Sequence, residues 1–254
     1  MDVVVDQYPY DRSSTSLSTL LPTWALADGQ TKVKERMEDA ATLAKIKTAM
    51  KDLLKHKGQP DYSYATVARF NPEPAYDGKT ISEITVMKGR EKTVDNEIET
   101  VLEMIAAGGA QMIYHKMGPE DIERILRYPN TAIASDGGIR EFGVGVPHPR
   151  SYGTNARVLA EYVRNRKVIT LEDGIRRMTS LPARTFNFRD RGLIREGMAA
   201  DVVLFDPAKV QDKATYAQPH QFSEGFDMVL VNGVPVVESG KVTGLKPGKV
   251  LRGR

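Results

Sequence analysis

Asp136, His148 and Arg150 are the residues whose types and spacing could do chemistry together. Asp136 follows the small and apolar run Thr131-Ala-Ile-Ala-Ser135 and is followed at once by Gly137 and Gly138. That pattern reads as a short buried strand ending on a carboxylate at a sharp turn, the place where α/β barrels and sheets keep reactive groups. His148 and Arg150 stand two apart around Pro149, in a loop rich in Gly and Pro that can fold back over the strand end. A carboxylate can take and return a proton. A guanidinium offers a planar fork for another carboxylate, a geometry lysine does not reproduce. The alternative is a plain turn, in which the Asp136 side chain only caps backbone N–H groups.

The elements that must position these groups can be read from periodicity and from turn residues. Asp2-Val-Val-Val-Asp-Gln-Tyr8 is β-branched and reads as a buried strand. Its end would bring Asp6, Tyr8 and Tyr10 toward the pocket of Asp136, with packing of the rim as the other use of the two tyrosines. Residues 11 to 30 read as a long loop, and 31 to 57 as one or two amphipathic helices whose lysines and His56 form a solvated face. A short strand is expected near 64 to 70. A helix is expected from Thr93 or Asp95, as N-cap, to Gly108-Gly109. Ala110 to His115 reads as a strand, Pro119 to Arg127 as a helix opening on proline, and Ala132 to Asp136 as the next strand. So short a crossover predicts that the strands on either side of it are parallel neighbours. His115 then falls at a strand end, as a metal ligand or proton shuttle or as a rim histidine.

Beyond Arg150, 155 to 164 and 171 to 179 read as amphipathic helices, the second with a capping box at Thr170 and Asp173, and Leu181-Pro182 opens a third. The composition then changes to short apolar runs that read as strands, punctuated by Gly, Pro and Asn, at 192–197, 201–207, 228–237 and 249–252. Asn232-Gly233 between two such runs signals a β-hairpin.

The chain has 254 residues, 41% hydrophobic and 27% charged, with a net charge of +3 and no cysteine. Lys and Arg are spread without a basic block, so nothing favours nucleic acid. No apolar run approaches the ~18 residues of a membrane span, and the first residues do not read as a signal peptide. A cytoplasmic protein is the expectation.

Ile133-Ala-Ser-Asp-Gly-Gly138, His148-Pro-Arg-Ser-Tyr-Gly-Thr154, Arg157-Val-Leu159, Met178-Thr-Ser-Leu-Pro-Ala183, Asp190-Arg-Gly192 and Gly197-Met-Ala-Ala-Asp-Val-Val-Leu-Phe-Asp-Pro207 succeed one another in order. Together with Asp6-Gln-Tyr-Pro-Tyr10 they make the chain resemble the N-acyl-D-amino-acid deacylases of the metal-dependent amidohydrolase superfamily. The resemblance implies a TIM-like (β/α) barrel with a small appended β-sandwich domain. It also implies Zn²⁺ or another divalent metal, whose bound water attacks an acyl-amide carbonyl. Asp136 would be the catalytic acid–base and a metal ligand. Arg150 would bind the α-carboxylate of an N-acyl amino acid, with His148 and Tyr152 positioning it or touching substrate.

The four histidines, at 56, 115, 148 and 220, form no His-x-His pair, whereas a catalytic zinc needs three protein ligands. By the resemblance the other ligands lie upstream of this chain, His115 being the one further candidate within it. The expected fold class is therefore α/β, the C-terminal part of the barrel over 1–190, with an insertion at about 11–80 that could serve as a lid. A small β-domain is expected over 191–254. A truncated chain whose partner is the missing N-terminal half of the barrel fits these expectations. Two other readings stay open: an amidohydrolase acting on a cyclic amide or an N-acyl peptide, and a catalytically silent half-barrel.

Overall fold

The computed structural model describes residues 3–253. The chain forms two compact units, residues 12–116 with 142–148 as unit 2, and the remaining described residues as unit 1. Among the described residues no helix is long and apolar enough to cross a membrane.

Unit 1 begins with β1 (Val5–Gln7), and unit 2 with β2 (Arg12–Ser16). Then follow α1 (Gln30–Glu38) and α2 (Ala40–His56), separated by Asp39, whose carboxylate caps α2 by accepting from Thr42 N–H at 2.8 Å. β3 (Ala65–Arg69), α3 (Ile81–Met87), α4 (Val94–Ala106) and β4 (Gln111–His115) complete the long segment of unit 2. Thr93 caps α4, and Gly108 and Gly109, both at positive φ, turn the chain into β4. The sheet runs β2-β4-β3 and is antiparallel throughout. Met112 and Tyr114 of the central strand sit in one core with Leu17, Ile46, Met50 and Ile98.

This sheet corrects two expectations. The polar run Arg12-Ser-Ser-Thr-Ser16 is a strand, not loop, because it has β4 to pair with over its whole length. β4 in turn is not a parallel neighbour of the strand that follows. Both of its edges are taken by antiparallel partners, β2 and β3.

In unit 1, α5 (Pro119–Leu126) opens on proline as expected and leads to β5 (Thr131–Ile133), which pairs parallel with β1 in the register Val5↔Thr131, Asp6↔Ala132, Gln7↔Ile133. The expected start of β1 at Asp2 lies outside the described residues. α6 (Arg150–Arg157) continues into a π-helical stretch, Val158–Asn165, where Arg166 N–H bonds back to Glu161 at 2.8 Å. α7 (Leu171–Met178) and α8 (Ser180–Thr185) follow. Arg177 of α7, only 2% exposed, donates to the carbonyls of Tyr128 and Thr131 at 2.8 and 3.1 Å and to Asp173 at 2.7 Å. It thereby fastens the start of β5. Asp173 points at Arg176 and Arg177 rather than back to the Thr170 N–H, so the expected capping box is only half made: Thr170 Oγ1 accepts from Asp173 N–H.

The chain ends in the antiparallel sheet β6 (Val202–Phe205), β7 (Phe226–Val231), β8 (Val234–Glu238), β9 (Lys241–Val242), in that order. Asn232 and Gly233 make the β7–β8 turn with φ of +50° and +79°, the two left-handed residues a type I′ hairpin requires. The runs 192–197 and 249–252 are not strands. Their apolar residues Ile194 and Val250 are 90% and 87% exposed, so there is no face for them to pair against. Two-, three- and four-stranded open sheets thus make a mixed α/β fold, with no closed barrel among the described residues.

Candidate active site

The turn after β5 explains its own sequence. Asp136 is held at φ +46°, a left-handed conformation that Asp tolerates better than most residues. A Cβ on Gly137 would stand 3.0 Å from Ser151 Cα and 3.2 Å from the Arg150 carbonyl, so the turn abuts the first turn of α6 and a larger residue would push the two apart. The Gly137 N–H donates to Ser135 Oγ at 3.2 Å. The turn is thus capped by the serine, and the Asp136 carboxylate goes elsewhere.

It goes to Arg150. Asp136 Oδ2 accepts from Arg150 Nη2 at 2.9 Å, with the aspartate side chain 69% exposed and the arginine 6%. The guanidinium lies over the Tyr8 ring, 4.7 Å from its centre. Burial pushes the Tyr8 phenol above its usual range, against the neighbouring Arg150 cation, which favours the phenolate. Of Asp6, Tyr8 and Tyr10, expected near Asp136, Tyr8 stands against the Asp136–Arg150 pair, whereas the Tyr10 ring packs under Arg157.

A second layer fixes the segment that carries Tyr8. Arg157 Nε donates to the Pro9 carbonyl at 2.8 Å and Nη1 to Asp212 at 3.1 Å, with the Tyr10 ring beneath the guanidinium. Tyr216 donates to Asp11 at 2.7 Å. On α6, Gly153 leaves room for Tyr10, since a Cβ there would stand 2.9 Å from the phenol oxygen.

Tyr152 shares a 2.8 Å hydrogen bond with Nδ1 of His220, and its backbone carbonyl accepts from Ser223 Oγ at 3.1 Å. His220 is the residue sequence reasoning left without a role. It stands 68 positions from Tyr152, in a loop of no motif, and no spacing signal could have tied the two. His148 belongs to unit 2, where its buried ring bonds through Nε2 with the Arg12 carbonyl at 2.9 Å. His115 ends β4 in that unit, opposite Arg12 in register. Among the described residues no group of three His, Asp or Glu side chains lies close enough together to hold a metal ion.

Residues 57–237 match the amidohydrolase family. The chain belongs to it. An N-acyl-D-aspartate deacylase of Alcaligenes xylosoxydans xylosoxydans is 38% identical over 178 residues, which is 70% of this chain and 34% of that one. A D-aminoacylase of the same organism is 37% identical over 180 residues, 71% of this chain and 35% of that one. Among solved structures, the N-acyl-D-glutamate deacylase of Bordetella bronchiseptica superposes with a TM-score of 0.72 at 32% identity, over 99% of this chain and 43% of that one. That structure holds zinc and a phosphonate inhibitor, a mimic of the tetrahedral intermediate. The chain spans about a third of the length of the curated relatives it matches.

Proposed function

We propose that these residues form the C-terminal part of a metal-dependent hydrolase that cleaves the amide bond of N-acyl-D-amino acids, giving a carboxylate and a free amino acid. The observation that carries the reading is the Asp136–Arg150 pair on the Tyr8 ring. In that pair Asp136 is itself the carboxylate that reaches the buried guanidinium at hydrogen-bond distance, which supports Arg150 as a group that takes a carboxylate. In the reaction Arg150 grips the α-carboxylate of the substrate. Asp136 takes the proton of the attacking water and returns it to the leaving amino nitrogen. Tyr8 holds the plane of the guanidinium, and the His220 bond aims the Tyr152 phenol.

A divalent metal, zinc as in the Bordetella relative, would activate the water in such an enzyme. The donor set here does not fit a complete site: the described residues offer no trio, and the Asp136 carboxylate is turned to Arg150. The reading therefore assigns the other ligands to a part of the protein outside these residues, and no step is derived through the metal. The parallel β1–β5 pair supports placing the two strands side by side in a TIM-like barrel. Val5 on β1 and Val3 just before it remain 37% and 47% exposed, where parallel strands are normally covered, which supports the N-terminal part of that barrel as the partner. We propose 1–190 as the barrel part, interrupted by an insertion at about 11–80, and 191–254 as the appended β-domain. The absent ligand trio favours a second reading for the 254 residues in isolation, that of a catalytically silent half.

The test is release of free amino acid from N-acetyl-D-methionine by the protein that joins these residues to the rest of its barrel. Asp136→Asn should lower kcat by about 10² to 10⁴. Arg150→Lys should raise KM for N-acyl amino acids far more than for their amides, which lack the carboxylate. Turnover near wild type in the first variant, or equal weakening of acid and amide in the second, would refute the roles given.

A further inference from the structure

Unit 2 has a cleft of about 290 Å³ whose polar lining is Ser16, Ser18, Gln30, Arg69, Asn71 and Gln111. It opens at one end of the three-stranded sheet, where Ser16 and Arg69 both stand opposite Gln111, while Arg12 and His115 occupy the other end. None of its lining belongs to the Asp136–Arg150 site.

Charge and hydrogen-bonding capacity decide what such a cleft can hold. Arg69 is the one charged residue that lines it. Its Nε donates to Asn71 Oδ1 at 2.8 Å, which sets the plane of the guanidinium, and among the described residues it makes no ion pair. Asp77 lies near enough to act on Arg69 electrostatically, but its carboxylate accepts from the Phe70 N–H at 2.7 Å and does not line the cleft. The hydroxyls of Ser16 and Ser18 are 2.8 Å apart, with amide groups from Gln30 and Gln111 beside them.

The helix ends at the cleft tip the balance the same way. The last carbonyls of α4 are already used, Ile105 and Met104 accepting from Gly108 and Gly109 at 3.0 and 2.8 Å. The first turn of α1, which begins at Gln30, has no side-chain cap and adds its positive end. Gln111 Nε2 is already given to Ser14 Oγ at 2.9 Å, so the neutral partners beside the Arg69 cation are the Ser16–Ser18 hydroxyl pair and the Gln30 and Asn71 amides. One cation with neutral donors balances a monoanion, whereas a phosphate dianion would be left half-compensated.

We propose that this cleft binds a small monocarboxylate of about amino-acid size through Arg69, independently of Arg150. Its volume is at the lower end for small-molecule sites, which limits the ligand to that size.

The experiment is an NMR titration of the 254-residue chain with acetate, N-acetylglycine and inorganic phosphate at constant ionic strength. The two carboxylates should give saturable shifts at the amides of Ser18, Gln30, Gly109 and Gln111, with Kd values of order millimolar. Arg69→Met should weaken this binding by at least about 10-fold, and Arg69→Lys by nearly as much because it lacks the fork. Spectra elsewhere in the chain should be unchanged, since Arg69 is exposed. Unaltered binding by Arg69→Met, phosphate binding as tight as carboxylate, or shifts confined to residues 136–152 would each overturn the proposal.

Discussion

Arg177→Met removes the fastening of β5 while keeping an apolar stem of similar length. The buried guanidinium serves three acceptors, two of them backbone carbonyls at the start of the strand that presents Asp136. Loss of its donor at the Thr131 carbonyl costs about 1 to 3 kcal/mol, while the Tyr128 carbonyl keeps the Thr131 N–H at 3.1 Å and loses about 1 kcal/mol or less. The third acceptor, Asp173, matters less, since its side chain is 31% exposed and keeps Arg176 at 2.8 Å, so that loss is screened to roughly 1 kcal/mol or below. A total of about 2 to 4 kcal/mol is expected, a large part of the stability of an ordinary domain. Urea denaturation followed by circular dichroism gives the loss. Hydrogen exchange of the Val5, Thr131 and Ala134 amides locates it, because these bonds close the β1–β5 pair and its flanks. Asp173→Asn should cost less, since Arg177 then keeps both carbonyls. A loss below about 1 kcal/mol in Arg177→Met, or a greater loss in Asp173→Asn, would refute this reasoning.

Gly225→Ala should be more damaging still in the C-terminal region. Gly225 stands at φ +86°, and a Cβ would lie 2.5 Å from the backbone N and Cα of Val210, so a loss above about 3 kcal/mol in the same denaturation assay is expected. Asp61 is half of an acid-sensitive contact in unit 2. Burial opposes its charge, but hydrogen bonds from Lys92 and Ser63 prevail and hold its carboxyl at about 2. A depressed carboxylate stabilises the fold above its unfolded value near 4 and loses that contribution as pH falls toward 2. Lys92→Met should move the Asp61 carboxyl upward in an NMR titration and narrow that window. An unmoved titration would show that Lys92 is idle.

Legibility in the sequence followed from how local the determining physics was. The Asn232-Gly233 hairpin, the Thr93 cap with its glycine stop, and Pro119 at a helix start are settled within a few residues, and each is where the sequence places it. Asp136 and Arg150 were legible as a pair because a strand-end aspartate and a glycine-rich return loop converge through the chain itself. Partner choice between strands was not legible. The pairing of β4 with β2 and β3 depends on segments some 100 and 45 positions away, and the polar run of β2 carries no apolar face by which to recognise it. His220 was hidden for the same reason: its meaning comes from Tyr152, brought to it only by the fold.

The pairing of Arg12 with His115 has a consequence for how the chain finds its structure. β1 and β5 must meet across more than 120 residues, a slow search for an unstructured chain. Once β2 and β4 have zipped together, the two ends of that long excursion leave side by side, and the remaining loop is about twenty residues. On the logarithmic scale of loop closure this lowers the entropic cost by roughly 1.5 kcal/mol. Unit 2 then acts as a kinetic chaperone built into the chain. An order of events follows that pulse-labelled hydrogen exchange can resolve, with the amides of β4 protected before that of Thr131.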